Sequence, residues 1–348
     1  MTRRPFLPSL LLAVALLAGA CGDDGGGAGD AAGDPPADAP ATLTVYSGRS
    51  EELVGPLVEQ FEADSGIDVE VRYGDTAQMA GAILEEGDNS PADVYYGQDA
   101  GALGALSSAG RLQSLDAALL ERVDPQFRSV DGRWVGVSGR ARVAVYNTNL
   151  LSEEDLPESI LDFSDPRWGG GKIGWAPTNG SFQAFVTALR VAEGEEVARA
   201  WLEGIRANEP KVYDANVPIV DAAGAGEIQV GFVNHYYLYR ALAEDPNLPA
   251  ANHIFPNGDL GSLVNVAGVG IVDTAEHTEE ARRFVEFLLG EPAQQYFAAE
   301  TFEIPLVAGI ESQVPLPPLE SLQQPDINLN ELADLQGTLD LMAEVGVI

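Results

Sequence analysis

Two adjacent tyrosines, Tyr236 and Tyr237, stand in the run Asn234-His235-Tyr236-Tyr237-Leu238-Tyr239-Arg240. Residues 228–233 just before them are β-rich and read as a short strand, and Asn234 is a good helix N-cap. The two phenols then fall in the first turn of a helix, beyond a strand end. Ligand sites of open α/β sheets lie there. Two phenols so placed can converge on one hard cation. A free phenol titrates near ~10, so only a strongly charged metal ionises both at neutral pH, and ferric ion is the natural candidate. The competing reading is an aromatic pair in a core or an interface.

The elements that must position this pair follow from periodicity. Residues 43–46, 67–73 and 93–96 read as strands. Helices are expected over 51–64, with Pro56 suggesting a kink or a later start, over 77–86, stopped by Gly87, and over 100–109, closed by Gly110. This β-α-β-α order implies a largely parallel sheet with helices on its faces. Strands are expected again over 142–146, 172–175, 229–233 and 267–272, and helices over 182–192, 197–205 and 279–289. No Walker A pattern, dinucleotide glycine pattern, His-Glu-x-x-His or paired-cysteine site occurs. The three histidines, His235, His253 and His277, form no known nucleophile–base arrangement, which leaves an exported hydrolase as a weak rival.

Residues 1–20 read as an export signal: Arg3 and Arg4 supply the basic start, and residues 10–17 are apolar but too short to span a bilayer. Ala18-Gly19-Ala20-Cys21 resembles a lipobox, which makes Cys21, the only cysteine, the expected lipidation site. Thr2-Arg3-Arg4-Pro5-Phe6-Leu7 also resembles a twin-arginine motif. Residues 21–41 are rich in Gly, Ala, Asp and Pro and read as a flexible tether. The formal charge is −35, and removing Arg3 and Arg4 with the signal makes it −37. Such a chain repels nucleic acid and anionic lipid, which leaves the lipid anchor as the only membrane contact expected. The roughly 300 remaining residues are too many for one ordinary core, so two lobes are expected.

Five segments carry a resemblance: Thr44-Val45-Tyr46-Ser47-Gly48; Glu85-Glu86-Gly87-Asp88-Asn89-Ser90-Pro91-Ala92-Asp93-Val94; Ser138-Gly139-Arg140-Ala141-Arg142-Val143; Pro177-Thr178-Asn179-Gly180-Ser181-Phe182; and Asn234-His235-Tyr236-Tyr237. In order and spacing the chain resembles the bacterial ferric-ion-binding solute-binding proteins, the transferrin-like receptors of iron ABC importers, over roughly residues 42–345. The resemblance implies an α/β, two-lobe periplasmic-binding-protein fold of type II, with hinge-connected lobes and a central ligand cleft. One lobe would comprise residues 42–142 plus 267–314, the other 143–266 plus 315–348. The protein would be no enzyme. It would be a monomeric, lipid-anchored extracytoplasmic receptor, delivering ferric ion with a synergistic phosphate or carbonate to a permease and its ATPase.

Carried over residue by residue, Tyr236 and Tyr237 match the family's iron-binding pair, with Tyr239 off it as packing and His235 as an exposed bystander. Asn179, Gly180 and Ser181 match the segment that holds the anion. They precede a helix whose free N–H groups suit one, although every helix needs a cap there. Arg140 matches an arginine that meets the same anion, while Arg142 is expected to face the other way. The first lobe departs from the family's pattern. Ser50 stands where one branch has histidine and Gln98 where a glutamate ligand is expected. Another branch's two further tyrosines have become Glu51 and Phe182. Glu51 or Asp99 could supply a hard oxygen instead, although both suit helix-start chemistry, and Tyr96 is expected to face the ligand. With the anion pocket better kept than the metal set, the alternative is a receptor for a small anion such as a phosphonate or an organic acid.

Overall fold

The computed structural model describes residues 42–314 and 325–348. The export segment, Cys21 and the tether lie outside the described residues, which all belong to one of the chain's two compact units, Pro40–Ile348. The strands are β1 (Thr42–Ser47), β2 (Asp68–Tyr73), β3 (Val94–Gly97), β4 (Val135–Asn147), β5 (Ile173–Trp175), β6 (Lys211–Val212), β7 (Val230–Asn234), β8 (Ala250–His253), β9 (Val264–Ile271) and β10 (Ile304–Pro305). The helices are α1 (Glu51–Ser65), α2 (Thr76–Glu86), α3 (Ala100–Ser108), α4 (Ala117–Leu120), α5 (Gly180–Glu193), α6 (Glu195–Ala207), α7 (Asn216–Gly224), α8 (Tyr236–Glu244), α9 (Thr278–Leu288), α10 (Glu291–Ala299) and α11 (Leu335–Val345). No helix among the described residues is long and apolar enough to cross a membrane.

The sheet runs β2-β1-β3-β9-β4-β7-β5-β6, with β8 and β10 also paired to β4. At one end β1 is parallel to β2 and β3; at the other β5 is parallel to β6 and β7. The expected parallel sheet is therefore met at both ends and interrupted between them. There β9 lies antiparallel to both β3 and β4, and β4 antiparallel to β7. β4 joins the halves: it pairs with β9 through Ala141 and with β7 from Arg142 onward. Every residue of β4 is buried. Periodicity finds only its second half, because Gly136, Ser138 and Gly139 break the apolar pattern of the first. Gly136 is needed for close approach, since a Cβ there would sit 2.7 Å from the Phe127 carbonyl oxygen.

α1 buries Leu53, Val54, Leu57, Val58 and Phe61, a one-face spacing, and ends at Gly66, whose φ of 70° suits glycine. Phe61 meets Phe284 of α9 edge-on at 5.0 Å. Burying each such side chain contributes roughly 1.5–3 kcal/mol. The helix starts at Glu51 and runs through Pro56, so the proline neither delays it nor ends it. Beneath the second half of β4, Val143, Val145, Ile219, Val220, Val233 and Leu238 form a separate apolar cluster. Leu238 anchors α8 there and so fixes the start of that helix.

Candidate functional site

β7 ends at Asn234 and α8 begins at Tyr236, leaving His235 as the junction. The expected Asn234 cap does not form. Its Nδ2 donates to Ser181 Oγ at 3.0 Å, and its Oδ1 accepts from Arg142 Nη1 at 3.4 Å. Asn234 still belongs to a buried strand, so its amide finds partners sideways. The expected exposure of His235 is also wrong, since the residue is fully buried. Its Nδ1 accepts from the Ala141 N–H at 3.1 Å, leaving Nε2 to donate to the Phe302 carbonyl at 2.9 Å. Burial pushes its pKa down to about 4, so the ring is neutral near pH 7. The ring clamps β4, where that strand changes partners, to the segment after α10.

The tyrosine pair lies directly beyond. Tyr236 is fully buried and Tyr237 half-buried, with ring centroids 4.1 Å apart and planes inclined by 31°. The Tyr236 hydroxyl has no hydrogen-bond partner among the described residues, and neither does that of buried Tyr96. Burial raises the Tyr236 pKa well above its ordinary value, Tyr237 adds to this, and Arg49 and Arg140 oppose it. Tyr96 is likewise raised by burial and held back by Arg49.

Three buried arginines surround these phenols. Arg49 Nη2 pairs with Glu303 Oε2 at 2.7 Å, both side chains almost completely inaccessible, and Thr301 donates to the same carboxylate oxygen. Arg49 Nε and Nη1 have no partner among the described residues, and none of the three nitrogens of Arg140 has one. Burial lowers the pKa of Arg140, and Arg49 lowers it further. Burial and then Arg140 push Arg142 down to about 9, which leaves it charged near pH 7. The expectation that Arg142 faces away from Arg140 is corrected: residues two apart in a strand share a face, and the two guanidiniums feel each other.

The remaining candidates scatter. Ser50 and Glu51 are exposed at the start of α1, where Ser50 makes no side-chain capping bond and the Glu51 charge acts on Tyr73. Gln98 Nε2 donates to Ser181 Oγ at 2.8 Å. Asp99 caps α3 by accepting from the Ala102 N–H, and a Cβ on Gly180 would sit 3.0 Å from its Oδ2. Asn179 caps α5 through the Ser181 N–H, and Phe182 packs edge-on against Trp175 in an aromatic cluster. The described residues contain no group of three or more His, Cys, Asp or Glu able to hold a metal. Sequence reasoning missed Arg49 and Glu303. They are 254 positions apart in the chain, and the only signal was a charge flanked by Gly48 and Ser50 and another between Phe302 and Ile304. The site thus offers ionisable phenols to a cation and unpaired guanidinium donors to an anion.

Residues 89–328 match the family described as bacterial extracellular solute-binding protein. The Fe(3+)-binding periplasmic protein of Serratia marcescens is 32% identical over 311 residues, covering 88% of this chain and 90% of that one. Iron-bound HitA from Pseudomonas aeruginosa superposes with a TM-score of 0.84 at 36% identity, covering 88% of this chain and 100% of that one. The Trichodesmium protein solved with iron and citrate ligands gives 0.74 at 29%, covering 88% and 99%. The chain belongs to the bacterial extracellular solute-binding proteins, a family of binding proteins rather than enzymes, and the relatives named above bind iron. Its architecture is the two-lobe type II periplasmic-binding-protein fold.

Proposed function

We propose that this protein is an extracytoplasmic receptor that binds ferric ion through Tyr236 and Tyr237 with a co-bound anion at Arg140. Anchored by a lipid on Cys21, it delivers the ion to a membrane permease and its ATPase. The observation that carries this reading is the buried, unpartnered Tyr236 hydroxyl set against Tyr237 and next to guanidiniums without partners. Buried polar atoms are rarely left unmatched in a protein with no use for them. The proposed lobes are residues 42–142 plus 267–314 and 143–266 plus 315–348. The change of β4 partner after Ala141 supports this division. Contacts between Gln98 and Ser181 and between Glu52 and Arg240 would close the cleft.

Replacing both tyrosines by Phe removes only two hydroxyls. The double variant should fold as before and lose the visible phenolate-to-iron charge-transfer band. A retained band with unchanged iron binding rejects the reading. Phenols must lose protons to bind metal, so uptake should release protons and weaken in acid. Cys21→Ala should free the protein from the membrane without altering ligand binding. A second reading, a receptor for a small anion alone, is favoured by the arginines. It predicts anion binding with no coloured iron complex.

A further inference from the structure

Resting on the ferric reading above, we infer that Tyr96, on β3, is a third phenolate ligand of the ferric ion, supplied by the other half of the sheet from Tyr236 and Tyr237. A second adjacent pair, Tyr95 and Tyr96, stands on β3, where successive residues point to opposite faces. Both side chains are fully buried. The Tyr95 hydroxyl donates to the Thr76 carbonyl at 3.0 Å, while the Tyr96 hydroxyl has no partner among the described residues. Buried Tyr46 and half-buried Tyr296 also have partners, the Glu86 carboxylate and the Leu53 carbonyl. Tyr96 and Tyr236 are the two tyrosines whose buried hydroxyls lack one among the described residues. A buried tyrosine hydroxyl ordinarily finds a partner, so this shared exception points to a shared occupant.

The register of the sheet carries both phenols to one place. β3 and β7 each end toward the middle of β4: Gly97 of β3 pairs with Gly268 on β9, whose Asn265 pairs with Arg140, and Asn234 of β7 pairs with Arg142. Tyr96 stands just before the end of β3, and Tyr236 just after the end of β7. Ligands of open α/β sheets bind beyond such carboxyl ends. The Gly48 N–H donates to the Tyr96 carbonyl at 2.8 Å, which sets Arg49 beside Tyr96. Electrostatics agree with this placing. Burial raises the pKa of both phenols, and the same three charges, Arg49, Glu303 and Arg140, act on each.

The other candidates of the first half are not free for this role. Ser50 and Glu51 are exposed, Gln98 is bonded to Ser181, and Asp99 caps α3. A tyrosine oxygen is a known ligand of iron. Three phenolates balance one ferric ion, so the complex stays neutral in a buried site, where an uncompensated charge is costly. With a ligand from each half, the ion itself would tie β3 to α8. Tyr96 alone offers a single bond and does not hold iron, so loss of the Tyr236–Tyr237 pair still abolishes the band.

The test loads the metal-free protein with ferric nitrilotriacetate. It reads the charge-transfer absorbance per bound iron and the retention of iron against excess nitrilotriacetate. Tyr96→Phe, its fold checked by circular dichroism, should lower the absorbance per iron by about a third and weaken retention about tenfold or more. Tyr95→Phe removes the neighbouring, partnered hydroxyl and should leave both readings unchanged. Where Tyr96→Phe does not fold, 3-fluorotyrosine placed at Tyr96 keeps the hydroxyl and should move the band maximum. Unchanged absorbance per iron in Tyr96→Phe, an equal loss in Tyr95→Phe, or a band that fluorination does not move overturns the inference and leaves the ferric reading intact. No band in the wild-type protein rejects the ferric reading, and the inference with it.

Discussion

Two buried arginines face the same cleft and are held in opposite ways. Arg49, next to the first strand, is locked to Glu303 by a short ion pair inside the fold. Arg140, on the strand that joins the halves of the sheet, has no hydrogen-bond partner on any of its nitrogens among the described residues. The first has its charge matched inside the fold, although its Nε and Nη1 lack partners among the described residues; the second has no partner at all there. The difference teaches that burial of a charge does not by itself mark a binding site; burial without an ion-pair or hydrogen-bond partner for the charge does. Between the two sits His235, bonded on one side to Ala141 beside Arg140 and on the other to Phe302 beside Glu303.

The contrast breaks most visibly at Glu303. Glu303→Ala should cost about 3–5 kcal/mol in urea unfolding of the metal-free protein, because it strands the Arg49 charge. A loss below about 1 kcal/mol would mean that Arg49 is as free as Arg140. His235 should give a pH signature. Its folded pKa of about 4 lies below the usual 6.5, so as pH falls the unfolded chain takes the proton first. Its contribution, about 3 kcal/mol, is complete above pH 6.5, fades as pH falls toward 4 and is gone below. His235→Gln should flatten that part of the stability–pH curve. An unchanged curve would show that the ring does not link the two regions.

Arg140→Met should move stability the other way. Removing an uncompensated buried charge should stabilise the metal-free protein by about 1–4 kcal/mol, while iron retention becomes independent of the anion. A destabilised Arg140→Met protein would show that the residue has a structural partner after all. The smallest effect belongs to the exposed edge of the first half. Glu51→Ala should leave stability within about 0.5 kcal/mol and the iron band unchanged. A lost band would restore Glu51 as a metal ligand.

Much of this was legible in the sequence, because it depends on neighbours in the chain. The apolar spacing of α1, the Asp99 cap of α3 and the placing of Tyr236 and Tyr237 in the first turn of α8 follow from residues a few positions apart. The sequence also determined that two phenols sit side by side, which is enough to suggest a hard cation. Tertiary structure alone decided what surrounds them. The Arg49–Glu303 pair spans 254 positions, His235 is buried only because β4 and residue 302 close over it, and β4 runs through glycines that hide its period. Local pattern reports which face a residue can take; which distant charge meets it there depends on how β4 and β9 bring the two halves together, and no short-range signal encodes that.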